Sequence, residues 1–162
     1  MQTSKAIYLG TFDPLTNGHC DVISRASRIF KSIVVGVGNN KQKQDLFSQQ
    51  ERVKIIEEYT KGLSGVEVKC FSGLTVDFAA EENSTIIIRG LRTEADYTYE
   101  MQMAMMNKSL MQELETIFIP TQQGYSHISS TLVKEVALLG GDVATMVPPH
   151  VIKFLQEKIF RS

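Results

Sequence analysis

The ten-residue stretch 10–19, G-T-F-D-P-L-T-N-G-H, contains a predicted turn with glycine and ends with a histidine. Apolar residues 6–9 precede this turn, and an apolar series at helical spacing follows it: Val22, Ile23, Ala26, Ile29 and Phe30. The stretch is therefore predicted to be the first turn of a βαβ unit, with Thr16 or Asn17 capping the helix. Free backbone N–H groups and the positive end of the helix dipole favour an anion there, and Gly10 lets the backbone approach it. His19 is the candidate to donate a hydrogen bond to that anion.

Cationic and hydroxyl side chains follow other predicted strands. Lys41 and Lys43 come after the second strand, and Arg89 and Arg92 come after the fourth. After the fifth strand, residues 125–131, Y-S-H-I-S-S-T, run into another helix. On any single loop such cations are more often merely solvated, but parallel strands bring their carboxyl ends to one edge of a sheet, where ligands bind. Together these segments predict a pocket for several phosphates.

The remaining elements alternate along the chain as a parallel sheet requires. Residues 6–9, 32–38, 66–71, 85–88 and 116–119 are predicted strands, and most of these segments are nearly all apolar. Predicted helices lie between and after them: one opened by the capping box at residues 48–51, residues 74–82, residues 97–111, one capped by Ser129 or Ser130, and one opened by Pro148 and Pro149. Residues 1–162 are thus predicted to form one α/β domain, a parallel five-stranded sheet with helices on both faces.

Composition narrows the classes of protein to consider. The chain has 17 Lys and Arg against 18 Asp and Glu, and this net charge of −1 gives no positive field to attract nucleic acid. Cys20 and Cys70 lack C-x-x-C spacing, so neither a disulfide framework nor a zinc site is predicted. The sequence shows no signal peptide and no apolar run of membrane-spanning length. We therefore expect a cytoplasmic protein that binds neither membranes nor nucleic acid.

The turn matches neither of the common phosphate-binding motifs, because the chain contains no G-x-G-x-x-G and no G-x-x-x-x-G-K-[ST]. Residues 16–19, T-N-G-H, instead resemble the T/H-x-G-H signature of the nucleotidyltransferase superfamily, with threonine at its first position. Four further strings, in order, resemble one branch of that superfamily, the bacterial phosphopantetheine adenylyltransferases: S-G-L-T-V-D-F-A at residues 72–79, I-R-G-L-R at 88–92, Y-E-M-Q at 99–102 and I-S-S-T at 128–131.

This resemblance implies a Rossmann-like nucleotidyltransferase fold and adenylyl transfer from ATP to 4′-phosphopantetheine, giving dephospho-CoA and pyrophosphate. It also implies Mg²⁺, a cytoplasmic homohexamer and a place in coenzyme A biosynthesis. An alternative is transfer to another phosphorylated acceptor, such as nicotinamide mononucleotide. A second alternative, a nucleotide-sensing module without catalysis, is disfavoured because His19 and the serine run are both present.

The family's site residues carry over to matching positions of this chain. The resemblance implies that ATP is bound by the following residues: Thr11, Phe12, His19, Gly90, Leu91, Arg92, Glu100, Tyr125, Ser126, His127, Ile128, Ser129, Ser130 and Thr131. It implies that phosphopantetheine is held by Thr11, Lys43, Thr75 and Arg89. The chain departs from the family pattern at Leu9, Thr75 and His127. The departure at Leu9 matters little, and the other two concern the detailed contacts to pantetheine and adenine but not the reaction.

The reaction fits what these residues offer. The acceptor phosphate is already a nucleophile, so catalysis requires positioning and stabilisation of charge on the α-phosphate rather than an activated side chain. His19, with Lys43 and Arg92, is predicted to supply that stabilisation. No metal ligand is assigned to a protein side chain, since Asp96 and Glu100 are interpreted as a capping or solvated acid and an ATP-site residue. Cys20 and His150 are interpreted as structural.

One predicted helix points to an assembly. Residues 97–111 contain five of the seven methionines, and apolar residues there spread beyond a single stripe. We expect this helix to be buried by a neighbouring subunit as well as by its own sheet, the alternative being a core helix buried on two sides within one subunit.

Overall fold

A computed structural model describes residues 3–39 and 45–160 of the chain. Its five strands form one parallel sheet in the order β3-β2-β1-β4-β5. The strands are β1 (Thr3–Gly10), β2 (Phe30–Val37), β3 (Val66–Cys70), β4 (Ile86–Leu91) and β5 (Glu115–Pro120). The parallel α/β architecture predicted from the alternation of apolar segments is confirmed.

Six helices connect and cover the strands within the described ranges. They are α1 (Asn17–Ile29), α2 (Gln49–Thr60), α3 (Thr75–Glu81), α4 (Glu94–Leu110), α5 (Ser130–Leu138) and α6 (Pro149–Phe160), with a short 3₁₀ turn at Gln123–Tyr125. Among these helices, none combines the length and hydropathy that crossing a bilayer requires.

The alternation of side chains in β1 explains why helices lie on both faces of the sheet. Ala6 and Tyr8 belong to one buried cluster, which includes apolar residues of α1, α2, α5 and α6. Ile7 and Leu9 belong to a second cluster on the opposite face, with Val76 and other residues of α3. The central strand therefore contributes to two cores, and both of its faces are removed from water.

Strand order reverses between β1 and β4, and the two strands part there. Ile7 pairs with Ile87 and Tyr8 with Ile88, although β1 continues to Gly10 and β4 to Leu91. The carboxyl ends beyond these pairs leave a crevice, and such a switch point is the expected ligand site of an open α/β sheet.

The local start signals are mostly as predicted. Thr16 caps α1, Ser129 caps α5, and Ser48 and Glu51 form the capping box that opens α2. Several boundaries differ from the prediction, and two of them show the local cause. α4 begins at Glu94 rather than at residue 97, because the hydroxyl of Thr93 accepts a hydrogen bond from the Asp96 N–H. β2 already begins at Phe30, since α1 ends at Ile29.

α4 packs differently from the other long helices. Thirteen-residue α1 buries five residues along one face, whereas seventeen-residue α4 buries none. Tyr97, Tyr99, Met105, Met106 and Leu110 are all exposed on it. The alternative of a helix buried on two sides within one subunit is therefore wrong for the chain taken singly.

Candidate active site

A cavity of about 370 Å³ lies at the carboxyl ends of β1 and β4. Its walls come from four segments, residues 8–19, 89–100, Thr121 and 128–131. Many of the predicted site residues line it: Thr11, Phe12, His19, Arg89, Gly90, Arg92, Glu100, Ile128, Ser129, Ser130 and Thr131. Segments that are more than 100 residues apart in the chain thus meet at the edge where the sequence predicted a phosphate pocket.

His19 takes part in the cap of its own helix, which fixes the tautomer of its ring. The Thr16 backbone N–H donates to His19 Nδ1 at 3.1 Å, and the His19 N–H donates to the Thr16 hydroxyl at 3.4 Å. Because Nδ1 accepts a hydrogen bond, the proton of the neutral imidazole resides on Nε2. His19 therefore has one N–H left to donate, and the residue lines the cavity.

The surroundings of His19 keep its ring uncharged. Burial, with the positive charges of Arg92 and Arg89, lowers the pKa of His19 from 6.5 to about 3. At neutral pH the ring is thus a hydrogen-bond donor through Nε2 without a net charge, and it does not act as a cation.

Phe12 gives the turn its shape. Its φ of 51° lies in the left-handed region, which costs a residue with a side chain about 1–3 kcal/mol unless its surroundings fix it. Its buried ring packs edge-on against Tyr8 and His19, at centroid distances of 5.4 and 4.9 Å. A Cβ at Gly10 would come within 3.0 Å of this ring. A side chain at Gly10 would therefore collide with Phe12, while the Gly10 backbone still lines the cavity.

Arg89 is held where β1 and β4 part. Its Nε and Nη2 donate to the two carboxylate oxygens of Glu100 at 2.7 and 2.6 Å, and its Nη1 donates to the Leu9 carbonyl at 2.6 Å. Burial works against the charged form, but the hydrogen bonds and charge of Glu100 raise the pKa of Arg89 above its ordinary value. Arg89 is consequently a fixed cation at the floor of the crevice.

Arg92, which follows the end of β4, is fixed in the same way as Arg89. Its Nε and Nη2 donate to Asp96 at 3.0 and 3.1 Å, and its Nη1 donates to the Ile128 carbonyl at 3.0 Å. A guanidinium has five N–H groups. Among the contacts of the described residues, Arg89 and Arg92 each use three and keep two for a ligand.

The start of α5 closes the cavity on the side facing the turn. The Ser129 side chain caps this helix by accepting from the Leu132 N–H, and the Ser130 hydroxyl donates to the Pro14 carbonyl at 2.8 Å. The α5 N-terminus is thereby tied to the turn that contains Phe12, so a second positive helix end borders the cavity.

A smaller cavity of about 120 Å³ adjoins the first, and Leu9, Arg89, Tyr99 and Glu100 line both. Its remaining walls are Thr75, Ile87, Met103, Ala104, Asn107 and Thr116. Thr75, predicted at the acceptor site, lies here and not among the residues that line the larger cavity. Arg89 stands at the boundary between the two spaces.

The other predicted residues lie elsewhere. Leu91, Tyr125, Ser126 and His127 do not line either of these two cavities. The Leu91 carbonyl accepts from the N–H and hydroxyl of Thr121, and the Ser126 hydroxyl donates to the Gln123 carbonyl. His127 is exposed. Lys41 and Lys43 lie outside the described residues.

Sequence reasoning assigned no role in the site to several residues that line the larger cavity, among them Tyr8, Leu9, Asp96, Tyr99 and Thr121. Asp96 was considered only as a capping or solvated acid, yet its carboxylate orients Arg92. The four-residue spacing of Arg92 and Asp96, directly before the predicted helix, was the local signal available for that pair. The sequence pattern indicates that Tyr8 is an ordinary core residue of a strand, and no neighbouring residue indicates that it lines the cavity.

The remaining titratable side chains fit structural interpretations. Cys20 is buried, and burial raises its pKa to about 12, so its thiol is not a nucleophile at neutral pH. His150 forms a hydrogen bond of 2.9 Å through Nε2 with the Ile55 carbonyl. Within the described residues, no group of three His, Cys, Asp or Glu side chains is placed to hold a metal ion.

The arrangement can bind a polyanion and stabilise charge on it, and among the described residues it contains no nucleophile poised for covalent catalysis. The donors are the N–H of His19 Nε2, the free N–H groups of two arginines and two helix N-termini. They are fixed before a ligand arrives, which is the requirement for electrostatic stabilisation of a transition state.

Comparisons with known proteins agree with this geometry. The model of the cytidylyltransferase-like family matches residues 7–136. The phosphopantetheine adenylyltransferase of Syntrophomonas wolfei is 51% identical over 157 residues, which is 97% of this chain and 98% of the relative. That of Alkaliphilus metalliredigens is 48% identical over 152 residues, 94% of this chain and 97% of the relative.

A solved structure shares the fold at much lower identity. A candidate nicotinate-nucleotide adenylyltransferase from Vibrio parahaemolyticus superposes with a TM-score of 0.72 and 18% identity, covering 98% of this chain and 96% of the other. At this identity the likeness concerns the fold alone.

Proposed function

The chain belongs to the cytidylyltransferase-like family and, within it, to the phosphopantetheine adenylyltransferases; from this membership and the strand-end cavity we infer that it transfers the adenylyl group of ATP to 4′-phosphopantetheine. The products are dephospho-CoA and pyrophosphate, and the reaction belongs to coenzyme A biosynthesis. The enzyme is a nucleotidyltransferase.

One observation supports this reaction above the others: a neutral histidine with a protonated Nε2 shares a cavity with two arginines whose free N–H groups are fixed by carboxylates. The cavity of about 370 Å³ falls within the range of roughly 300–1,000 Å³ typical of ligand pockets. Adenylyl transfer needs hydrogen-bond donors to the phosphate oxygens and does not need an activated side chain. His19 and the two arginines are such donors.

In the proposed step, an oxygen of the acceptor phosphate attacks the α-phosphorus of ATP. The bond from that phosphorus to the bridging oxygen of the β-phosphate breaks, and pyrophosphate leaves with the electron pair. His19 Nε2–H donates to the oxygen that gains charge on the α-phosphate, and Arg92 donates to the departing phosphates. The Thr11–Phe12 turn and the α5 N-terminus, including Ser129 and Thr131, hold the triphosphate.

Arg89 is proposed to bind the acceptor phosphate because it stands between the two cavities. The pantetheine arm then extends into the smaller cavity, along Thr75 and Asn107. Glu100 positions Arg89 and does not need to touch ATP, since both of its carboxylate oxygens accept from that guanidinium. Lys43 remains a predicted contact to the phosphate of 4′-phosphopantetheine and to the α-phosphate of ATP.

Mg²⁺ is proposed to enter with ATP as a complex with its phosphates. Asp96 and Glu100, the carboxylates lining the larger cavity, are both paired with arginines, so the donor set favours an ion held by phosphate oxygens and water. When bound, the ion neutralises charge on the phosphates of the leaving group.

Association of this chain into a homohexamer, and its location in the cytoplasm, are parts of the same proposal. The exposed aromatic and methionine side chains of α4 support association, because this helix buries no residue in the single chain. Light scattering at micromolar concentration tests it: a mass of six chains is expected, and a monomer would contradict it.

Release of pyrophosphate from ATP tests the reaction itself. The rate is measured with 4′-phosphopantetheine and, separately, with nicotinamide mononucleotide as the acceptor. We expect release that depends on 4′-phosphopantetheine. Equal or faster release with nicotinamide mononucleotide would favour the alternative acceptor, and no release with either would contradict adenylyl transfer.

A further inference from the structure

Among the described residues, Arg52 is the largest side chain that is completely buried, with an exposed fraction of 0%. It lies in the first turn of α2 and does not line the cavity. A charged side chain is seldom removed from water unless all of its donors are paired, since the desolvation cost is large. The role of Arg52 can therefore be inferred from the groups that its guanidinium contacts.

All five N–H groups of Arg52 have acceptors. Nε donates to the Phe47 carbonyl at 3.1 Å, and Nη1 donates to the carbonyls of Thr11 and Gly38 at 2.7 and 2.8 Å. Nη2 donates to Asn39 Oδ1 at 2.6 Å and to Asp45 Oδ2 at 3.1 Å. No other residue type has five donors in this planar arrangement, and a lysine has only three.

The contact to Thr11 joins this buried cation to the anion-binding turn. The peptide bond between Thr11 and Phe12 is not among the cis bonds of the chain, and in a trans peptide the C=O and the following N–H point in opposite directions. The Thr11 carbonyl points at Arg52, so the Phe12 N–H points away from it. This N–H has no acceptor within residues 3–39 and 45–160, and Thr11 and Phe12 both line the cavity.

The same turn is held from its other side by Asp13. The buried Asp13 carboxylate accepts from the N–H groups of Leu46 and Phe47 at 2.8 and 2.9 Å and from Lys134 Nζ at 2.8 Å. Arg52 and Asp13 thus contact the same residue, Phe47, one at its carbonyl and one at its N–H. The left-handed backbone of Phe12 lies between these two fixed points, as such a conformation requires.

We propose that Arg52 is a positioning residue for adenylyl transfer: it holds the Thr11–Phe12 peptide so that the Phe12 N–H faces the cavity and donates to a phosphate oxygen of ATP. Arg52 itself touches no substrate. This inference rests on the proposed function, because it names what the Phe12 N–H binds.

The test compares Arg52→Lys with the wild type and with Ile55→Ala. Ile55 is fully buried on the same helix and lies outside the cavity, so its truncation reproduces a loss of stability without altering the turn. Three quantities are measured for each protein at a temperature well below its melting transition: kcat, the KM for ATP, and the amide resonance of Phe12 with and without inorganic pyrophosphate.

In the wild type and in Ile55→Ala, pyrophosphate is expected to shift the Phe12 amide proton downfield. In Arg52→Lys this shift is expected to be lost, and kcat/KM for ATP is expected to fall about tenfold or more, since misplacing a binding group by 1 Å can cost roughly a hundredfold. If Arg52→Lys keeps the shift and the kcat/KM of Ile55→Ala, Arg52 is only structural and the proposal is wrong.

Wild-type protein alone supplies a second test, which holds even where Arg52→Lys fails to fold. Pyrophosphate should move the Phe12 amide resonance and leave the Arg52 guanidinium resonances in place. The proposal is overturned if pyrophosphate leaves the Phe12 amide resonance unchanged. It is also overturned if the Arg52 guanidinium resonances shift as they would in direct contact with pyrophosphate. If wild-type activity with 4′-phosphopantetheine is intact in that experiment, the positioning role fails and the proposed function survives.

Discussion

Two ion-pair clusters of similar chemistry serve different ends in this molecule. On the face covered by α3, Glu82 accepts from Lys5 at 2.7 Å and from Lys69 at 2.9 Å. Where β1 and β4 part, Glu100 accepts from Arg89 at 2.6 Å. None of the three residues of the Glu82 cluster lines the two cavities at the strand ends, whereas Arg89 and Glu100 line both.

The two clusters differ in whether the cation of the ion pair keeps unpaired N–H groups beside a cavity. The lysines of the Glu82 cluster are partly exposed, and their charges are directed at the carboxylate. Arg89 is oriented by Glu100 and by a carbonyl, and two of its N–H groups have no partner among the described residues. An ion pair alone therefore indicates stability, and an ion pair that fixes spare donors at a strand end indicates binding.

The largest effect is expected for His19. His19→Asn can keep an acceptor for the Thr16 N–H but loses the donor at Nε2, so kcat should fall roughly a hundredfold or more, by comparison with removal of an oxyanion-hole donor. The melting temperature should change little. His19→Gln, which can place a donor near Nε2, is the matched variant and should retain more activity. Steady-state kinetics at saturating ATP decide this, and near wild-type turnover in His19→Asn would show the histidine to be structural.

A smaller effect is expected for Arg89. Arg89→Met should weaken binding of 4′-phosphopantetheine by about tenfold or more, since a charge-assisted hydrogen bond contributes roughly 1.5–3 kcal/mol, while ATP binding largely survives. Calorimetry with each ligand measures both. Arg25→Met is the control, because Arg25 also bridges a carboxylate and a carbonyl, Asp21 and Pro120, but does not line the cavity. Equal loss of both ligands would contradict the division between acceptor and nucleotide.

Glu82→Gln should affect stability and leave turnover unchanged. Burial acts against the charged carboxylate, but Lys5 and Lys69 outweigh it and lower the pKa of Glu82 below its ordinary value. The stabilisation is therefore present above the pKa of an unfolded glutamate and is lost as pH falls through the lower folded value. Denaturant unfolding should show a loss of about 1–2 kcal/mol at pH 7, and this difference should shrink near pH 4. A loss that is equal at both pH values would contradict the role of the charge.

The His19 ring is expected not to titrate in the pH range in which an ordinary histidine does. Because the pKa of His19 is lowered to about 3, its ring in the free enzyme should show no titration midpoint between pH 5 and 8 in NMR spectra. Protonation of this group near pH 6.5 should not limit kcat/KM either. A midpoint near 6.5 for the His19 ring would show that it is not shielded in the way the structure implies.

Sequence reasoning succeeded where the signal was local. The Thr16 and Ser129 caps, the strand alternation of β1 and the position of His19 each depend on residues within a few positions of one another. It failed where partners are far apart in the chain. Arg52 looks like any arginine in a helix, and its burial follows from contacts to Thr11 and Gly38, which are 41 and 14 residues away.

The same limit applies to Glu100. The resemblance assigned it to the ATP site, and Glu100 does line the larger cavity. Its pairing with Arg89, eleven residues earlier in the chain, was not predicted. The bidentate pairing depends on how α4 returns over the end of β4, which no local pattern reports.

The most direct test of the central claim, that adenylyl transfer occurs at the edge where β1 and β4 part, is a crystal structure with dephospho-CoA bound. The product should lie in the larger cavity with its pantetheine arm in the smaller one, and its adenylyl phosphate oxygen should lie about 2.7–3.2 Å from His19 Nε2, the range of a normal N–H···O hydrogen bond. A product that binds outside these cavities, or with its phosphates away from His19 and Arg92, would contradict the claim.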